Sequence, residues 1–281
     1  MDEQPGPDKH PFAPRADPAV QKAQERIKKF FRDSKGRPNK KTYYKGQLEV
    51  LLEGEFFSWV VSDALGILVE DGRLKSFTTK TKHQPKVIFY HNATLVTDKE
   101  TRIIKTRATR ACSLIDKMSD PIITKAIGSH LEALVKAELR AQQFDIVGEN
   151  ANSYQGVVWT ETGHNLDFIA KHRSDRLVIG VEVKNTLAVV PKDEISIKLR
   201  MCEHLGITPV FAVRWNKPYL DQVYNANGFT WTFKTQIYPL GQENLTKRIY
   251  EHLGLPVNVR TDLPPKSVKL FQEWIKKRTG P

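Results

Sequence analysis

Cysteine is nearly absent: Cys112 and Cys202 are the only two in 281 residues, and they lie far apart. Neither belongs to a Cys-x-x-Cys pair or a Cys/His spacing, so neither a disulfide framework nor a zinc centre is expected, and a reducing compartment fits best. Long hydrophobic runs are missing as well, since no stretch approaches the roughly 20 apolar residues that a membrane-spanning helix needs. Residues Met1 to Pro18, punctuated by Pro5, Pro7, Pro11, Pro14 and Pro18, contain no apolar run. They read as a flexible leader rather than a secretory signal or transit peptide. A cytoplasmic protein with no membrane partner is the expectation. Acidic residues are the third shortage: 32 Asp and Glu face 44 Lys and Arg, a formal net charge of +12. Clustered cations release counterions when they neutralise phosphates, so double-stranded DNA leads among partners, with simple solubility as the alternative.

What is present suffices for packed cores: 40% of the residues are hydrophobic and 27% charged. The length exceeds the roughly 100–200 residues of a typical domain, which favours two units. The basic residues cluster, with ten between Lys22 and Lys45 opposed only by Glu25 and Asp33. From Pro18 to Ser34 the apolar residues Val20, Ala23, Ile27, Phe30 and Phe31 follow helical spacing, giving a basic amphipathic helix that either contacts phosphate or caps the fold. A short helix over Gln47 to Glu53 and a longer one from Glu55 or Phe56 to Asp71 follow, the second stopped by Gly72. Two strands, Leu74 to Thr78 and Lys86 to Tyr90, flank the polar, basic loop Thr79 to Pro85.

Helix, helix and basic hairpin resemble a winged-helix DNA-binding domain. That resemblance implies that the second helix enters the major groove, where Ser58, Ser62 and Asp63 face the bases, while Lys75, Lys80, Lys82 and Lys86 reach phosphates. After Asn92 the chain passes Arg102, Lys105, Arg107 and Arg110 to a helix near Ala108 to Met118, read as a junction. The expected organisation is a leader over 1–17, a winged-helix-like unit over 18–106, a linker helix over 107–120 and a catalytic unit over 121–281.

In the catalytic half, Ile123, Ile127, Leu131, Leu134, Val135 and Leu139 form an apolar stripe of helical period from Pro121 to Phe144. Asp145 to Gly148 is extended, and Val157 to Thr160 reads as a strand. Asn165 to Lys171 and Arg176 to Lys184 then alternate at period two around the polar turn His172-Arg-Ser-Asp175, the pattern of a hairpin. With those four residues as the loop, Asp167 faces Gly180 and lies diagonal to Glu182 on the same side. Glu182 and Lys184 share that side, because alternate strand residues point the same way. The opposite side of the second strand is apolar (Leu177, Ile179, Val181, Val183), so the strand is expected well inside the sheet. A Glu and a Lys there cost free energy unless they pair or bind metal. Carboxylates holding Mg²⁺, with Mn²⁺ as a substitute, would suit phosphodiester hydrolysis. A nearby Lys would position the attacking water or, with a pKa lowered by burial, help to deprotonate it.

Asp167 followed by Glu182-Val183-Lys184 resembles the PD-(D/E)xK nuclease superfamily, with Leu166 in place of the proline that names the motif. The resemblance implies an α/β, restriction-endonuclease-like mixed sheet flanked by helices, a divalent metal and phosphodiester cleavage. Gly128-Ser-His-Leu-Glu132 and Phe144-Asp-Ile146 are similar to the first helix and strand of the archaeal Holliday-junction resolvase branch. On that basis Glu132 joins Asp167 and Glu182 as a metal ligand.

Among lesser candidates, Glu138 could substitute for Glu132. His164 and Asn165 could touch phosphate, and Asn185 either positions a ligand or caps the strand end. Lys198 and Arg200, on the helix Lys192 to Leu205, either hold phosphates or form a solvated face. A strand from Pro209 to Trp215 follows. The segment from Asn216 completes the sheet or mediates pairing, with Phe271 and Trp274 as buried anchors. The expected function is a Mg²⁺-dependent DNA endonuclease of the type II-like restriction kind, cutting as a homodimer. A structure-specific repair or recombination nuclease and a catalytically inactive DNA-binding regulator are the alternatives.

Overall fold

The computed structural model describes residues 14–188, 190–214 and 220–279. Most of the expected leader, the strand end at Trp215 and the start of the segment from Asn216 lie outside the described residues. The chain divides into two compact units, one running to Asp120 and including Glu251–Leu255, the other comprising Pro121–Tyr250 and the residues from Pro256. Among the described residues no helix is long and apolar enough to cross a membrane.

The first unit begins with a 3-10 turn, Pro14–Ala16, and α1 (Pro18–Phe30), capped by the Asp17 carboxylate, which accepts from the Ala19 amide. The helix stops earlier than its apolar spacing suggests because Asp33 organises a turn, accepting from the Lys35 and Arg37 amides. Next come β1 (Tyr43–Tyr44), α2 (Lys45–Leu51), α3 (Ser58–Glu70), β2 (Leu74–Thr79) and β3 (Val87–Asn92). The three strands form an antiparallel sheet in the order β1-β3-β2. Val20, Ala23 and Ile27 of α1 pack with Val60, Val61, Ala64 and Leu68 of α3 in one core.

After β3 comes α4 (Asp98–Met118), which starts at Asp98 rather than near Ala108. The reason is a capping box: the Glu100 amide donates to Thr97 Oγ1, and the Thr97 amide donates back to the Glu100 carboxylate. The residues read as a linker are therefore part of a long helix belonging to the N-terminal unit.

The second unit is α/β, a mixed sheet flanked by helices. Its elements are α5 (Pro121–Ala141), β4 (Phe144–Ala151), β5 (Ser153–Tyr154), β6 (Val157–Val158), β7 (Leu166–His172), β8 (Val178–Lys184), α6 (Lys192–His204), β9 (Thr208–Val213), α7 (Asp221–Asn225), β10 (Phe229–Thr232), β11 (Gln236–Tyr238), α8 (Glu243–Leu253), β12 (Val257–Val259) and α9 (Pro265–Thr279). The main sheet has five strands in the order β10-β9-β8-β7-β4. β8 pairs antiparallel with β7 and parallel with β9, so it is the central strand.

The pairing of β7 with β8 differs from expectation by a shift of the turn. Ile169, not Asp167, faces Gly180, and Phe168 faces Val181. His172 belongs to the strand, its amide donating to the Leu177 carbonyl at 2.9 Å. Its ring lies 4.9 Å from that of Phe144 in an edge-on contact, and it is buried. A polar residue that reads as turn is thus held in the ladder by packing. Moving a four-residue turn by one position preserves side-chain parity, so the faces survive while the partners change.

Phe168, Ala170, Ile179, Val181 and Val183 join Leu131, Val135 and Leu139 of α5 and Phe271 of α9 in the larger core. Behind Gly180 lies α6. A Cβ at Gly180 would come within 2.8 Å of Leu166 Cδ1 and 2.9 Å of Cys202 Sγ and Ile207 Cδ1. The absent side chain is what lets α6 close over the central strand.

Candidate active site

Glu182 sits near the C-terminal end of β8, with an apolar residue on either side, and only 2% of its surface is exposed. Such burial is tolerable for a carboxylate only with charged or hydrogen-bonding partners. It has two. Lys184 Nζ lies 2.8 Å from Oε1, and Lys198 Nζ lies 2.7 Å from Oε2. Lys184 is the alternate residue on the same strand. Lys198 reaches in from α6 and also donates to the Asn165 carbonyl. A further carboxylate, Glu194 in the first turn of α6, pairs with Lys184 at 2.6 Å.

Asp167 stands on β7, beside β8. Carrying the observed register one step beyond Phe168 and Val181 brings it next to Glu182, and its Oδ2 accepts the Val183 amide at 2.6 Å. Burial first, and then the negative charge of Glu182, push the Asp167 pKa up from 3.8 to about 6. The Val183 amide and Lys184 oppose that rise, while Glu132 adds to it. The structure thus brings Asp167, Glu182 and Lys184 together. Glu132 is close enough for its charge to be felt at Asp167 but makes no hydrogen bond or ion pair among the described residues.

One expectation is corrected. Burial does lower the Lys184 pKa, but the charge and hydrogen bonds of Glu182 and Glu194 outweigh it, and the net shift is upward. Lys184 is held as an ammonium ion. Its charge is shared between the carboxylates of Glu182 and Glu194.

Four carboxylates (Glu132, Asp167, Glu182, Glu194) and two ammonium groups (Lys184, Lys198) make up this cluster, an excess of two negative charges once Asp167 is ionised. Hard oxygen donors with that excess match a Mg²⁺-sized dication in chemistry and charge. The arrangement is nonetheless closed on its own lysines. Among the described residues no group of three or more His, Cys, Asp or Glu is arranged to hold a metal ion. Each Glu182 oxygen accepts from one lysine and keeps a further lone pair.

The lesser candidates fall elsewhere. Glu138 accepts from Gln142 at 2.7 Å. His164 Nδ1 lies 3.0 Å from Thr162 Oγ1, and Asn165 Nδ2 donates to Asn150 at 3.1 Å. Asn185 caps the strand end: its Nδ2 donates to the Ile127 and Ile237 carbonyls and its Oδ1 accepts the Ile237 amide. Lys198 is buried, so it faces Glu182 rather than solvent. Arg200 is exposed, with its Nε 3.8 Å from Glu161. In the first unit, Ser58 and Ser62 lie on α3 partly buried, while Lys75, Lys80, Lys82 and Lys86 are all exposed on the hairpin.

Sequence reasoning missed Glu194 and misread Lys198. Glu194 looks like a carboxylate placed at a helix N-terminus for the macrodipole. For Lys198 a signal was present: it lies one turn before Cys202 on an apolar stripe containing Ile195, which points inward rather than to solvent. No protein-family model matches the chain, and no curated protein is significantly similar to it.

Proposed function

We propose that the chain is a divalent-metal-dependent DNA endonuclease of the PD-(D/E)xK type, with a restriction-endonuclease-like C-terminal unit and a winged-helix N-terminal unit. The observation that carries this reading is the adjacency of Asp167 and Glu182 on neighbouring central strands. They are close enough for the charge of one to lift the pKa of the other, and Lys184 lies two residues on. Two carboxylates crowded in a partly buried site are unfavourable for stability and useful for gathering a cation. The order of α2, α3, β2 and β3, with the exposed lysines of the hairpin, supports the reading of the first unit.

Asp167 and Glu182, joined by Glu132, are the residues that would hold Mg²⁺ or Mn²⁺. The bound ion would supply an acidified water and stabilise charge on the phosphoryl oxygens. The protein groups do the rest. Asp167 gives up its proton as pH rises past its raised pKa. Lys184, fixed between Glu182 and Glu194, offers positive charge to a phosphate. Lys198 holds the Glu182 carboxylate from the α6 side.

A second reading rests on a specific observation: both oxygens of Glu182 are taken by lysines. If these ion pairs keep a metal ion from Glu182, the chain is a DNA-binding protein without nuclease activity. Incubation of the full chain with supercoiled plasmid and Mg²⁺ or Mn²⁺, followed by sequencing of the ends, separates the readings. Discrete ends at one motif indicate type II-like restriction, and ends at branched sites indicate structure-specific repair or recombination. Intact plasmid with both ions contradicts the enzymatic reading.

A further inference from the structure

The helix α4 carries six basic residues, more than any other helix of the N-terminal unit. Its inner face is apolar: Ile104, Ala108, Ala111, Leu114 and Ile115 are buried. The outer face is a ridge in which Arg102, Thr106, Thr109 and Ser113 follow one another at helical spacing, flanked by Lys105, Arg110 and Lys117, all of them exposed. Between the cations the residues are short. The Thr106 and Thr109 hydroxyls turn back onto the Arg102 and Lys105 carbonyls, leaving a shallow surface that another backbone can approach closely.

The helix does not neutralise this charge. Asp98 and Glu100 are confined to its first turn, where Glu100 closes the capping box. Its one other acid, Asp116, is occupied: Oδ1 accepts the His83 amide of the β2–β3 loop at 2.9 Å. Beside it, Gln84 Nε2 donates to Ser119 Oγ at 3.1 Å. Arg102, Lys105, Arg110 and Lys117 form no ion pair among the described residues. Because the loop is tied to the C-terminal end of α4, the exposed Lys80, Lys82 and Lys86 extend the same basic surface.

The contrast with α3 is sharp. That helix contains no Lys or Arg, and its partly or fully exposed residues include Asp63 and Glu70 beside Trp59 and Gly66. A helix with net negative charge is poorly suited to lie against a polyanion.

We infer that the outer ridge of α4, continued by the β2–β3 loop, is the surface on which the phosphate backbone of duplex DNA docks, and that α3 is not the main source of affinity. A rigid helix of 21 residues spans about 30 Å at 1.5 Å per residue, enough to follow several consecutive phosphates. The inference shares with the proposed function only the premise that the ligand is DNA, and it holds whether or not the chain cuts.

The test measures binding of a labelled, mixed-sequence DNA duplex to the full chain by fluorescence anisotropy in Mg²⁺-free buffer, across a series of KCl concentrations. The wild type is compared with the triple variant Arg102→Gln, Arg110→Gln, Lys117→Gln and with Ser58→Ala, Ser62→Ala. Each phosphate contact adds about 0.9 to the slope of log affinity against log salt, so the triple variant is expected to lower the slope by about 2.7. The α3 variant keeps the wild-type slope. All substituted residues of the triple variant are exposed, and a melting transition matching the wild type establishes that it is folded. An unchanged slope in a folded triple variant, a loss caused by the α3 variant instead, or a wild type that binds anionic vesicles but no duplex would each overturn the inference. Because no Mg²⁺ is present, failure here is distinguishable from failure to cleave.

Discussion

A carboxylate taken out of water by burial, with a second carboxylate beside it, holds its proton to higher pH than it would in water, and Asp167 is such a group. With a folded-state pKa of about 6 against 3.8, the folded protein binds this proton more tightly than the unfolded chain does. The resulting stabilisation is fully present below about pH 3.8 and is lost as pH rises towards 6. Urea denaturation of the wild type and of Asp167→Asn between those pH values is expected to show the wild type losing stability relative to the variant as pH increases. Parallel curves would contradict the raised pKa of Asp167. Lys198 tests the same cluster from its other side. Removing it leaves Glu182 with one cation and strips a donor from the Asn165 carbonyl, so Lys198→Ala is expected to cost about 3 kcal/mol, the scale of a broken buried ion pair. A denaturation midpoint within error of the wild type would contradict the role given to Lys198. Asp167, Glu182 and Lys184 were legible in the sequence because charged residues interrupt apolar strands. The protonation of Lys184 was not, because Glu194 comes from another element and strand alternation carries no information about it.

At the scale of elements, parity proved more robust than register. The β7–β8 turn lies one residue further on than its polar sequence suggests, because His172 packs on Phe144. Yet Asp167, Glu182 and Lys184 stay on one side, since a shift of the turn changes partners but not faces. The extra length of α4 was written in Thr97 and Glu100, a capping box that a hydrophobic pattern alone does not reveal. Gly180 shows a constraint that only packing discloses. A methyl group there meets Leu166, Cys202 and Ile207 at once, so Gly180→Ala is expected to cost about 1–3 kcal/mol through overpacking. The check is the thermal transition of the folded variant; a shift indistinguishable from zero would mean that α6 can move away from β8 freely.

For the whole molecule, two units with separate cores divide the chemistry. The first gathers most of its exposed positive charge on α4 and the hairpin, and the second buries a carboxylate and lysine cluster in its central strands. The basic excess of the composition pointed to DNA, but not to which helix carries the useful charge, because one-dimensional clustering favoured the segment from Lys22 to Lys45. Folding pairs Arg26 with Glu55, Lys28 with Glu25 and Arg37 with Asp33, and among the described residues Arg102, Lys105, Arg110 and Lys117 of α4 form no ion pair. The proposed metal-dependent phosphodiesterase site rests on Asp167 and Glu182. The most direct measurement is the single-turnover rate of DNA cleavage at saturating Mg²⁺ for the wild type and for Asp167→Asn and Glu182→Gln. Loss of several kcal/mol of charge stabilisation predicts cleavage slowed by about a thousandfold in both variants, with DNA affinity preserved. Cleavage by either variant at the wild-type rate would contradict the claim.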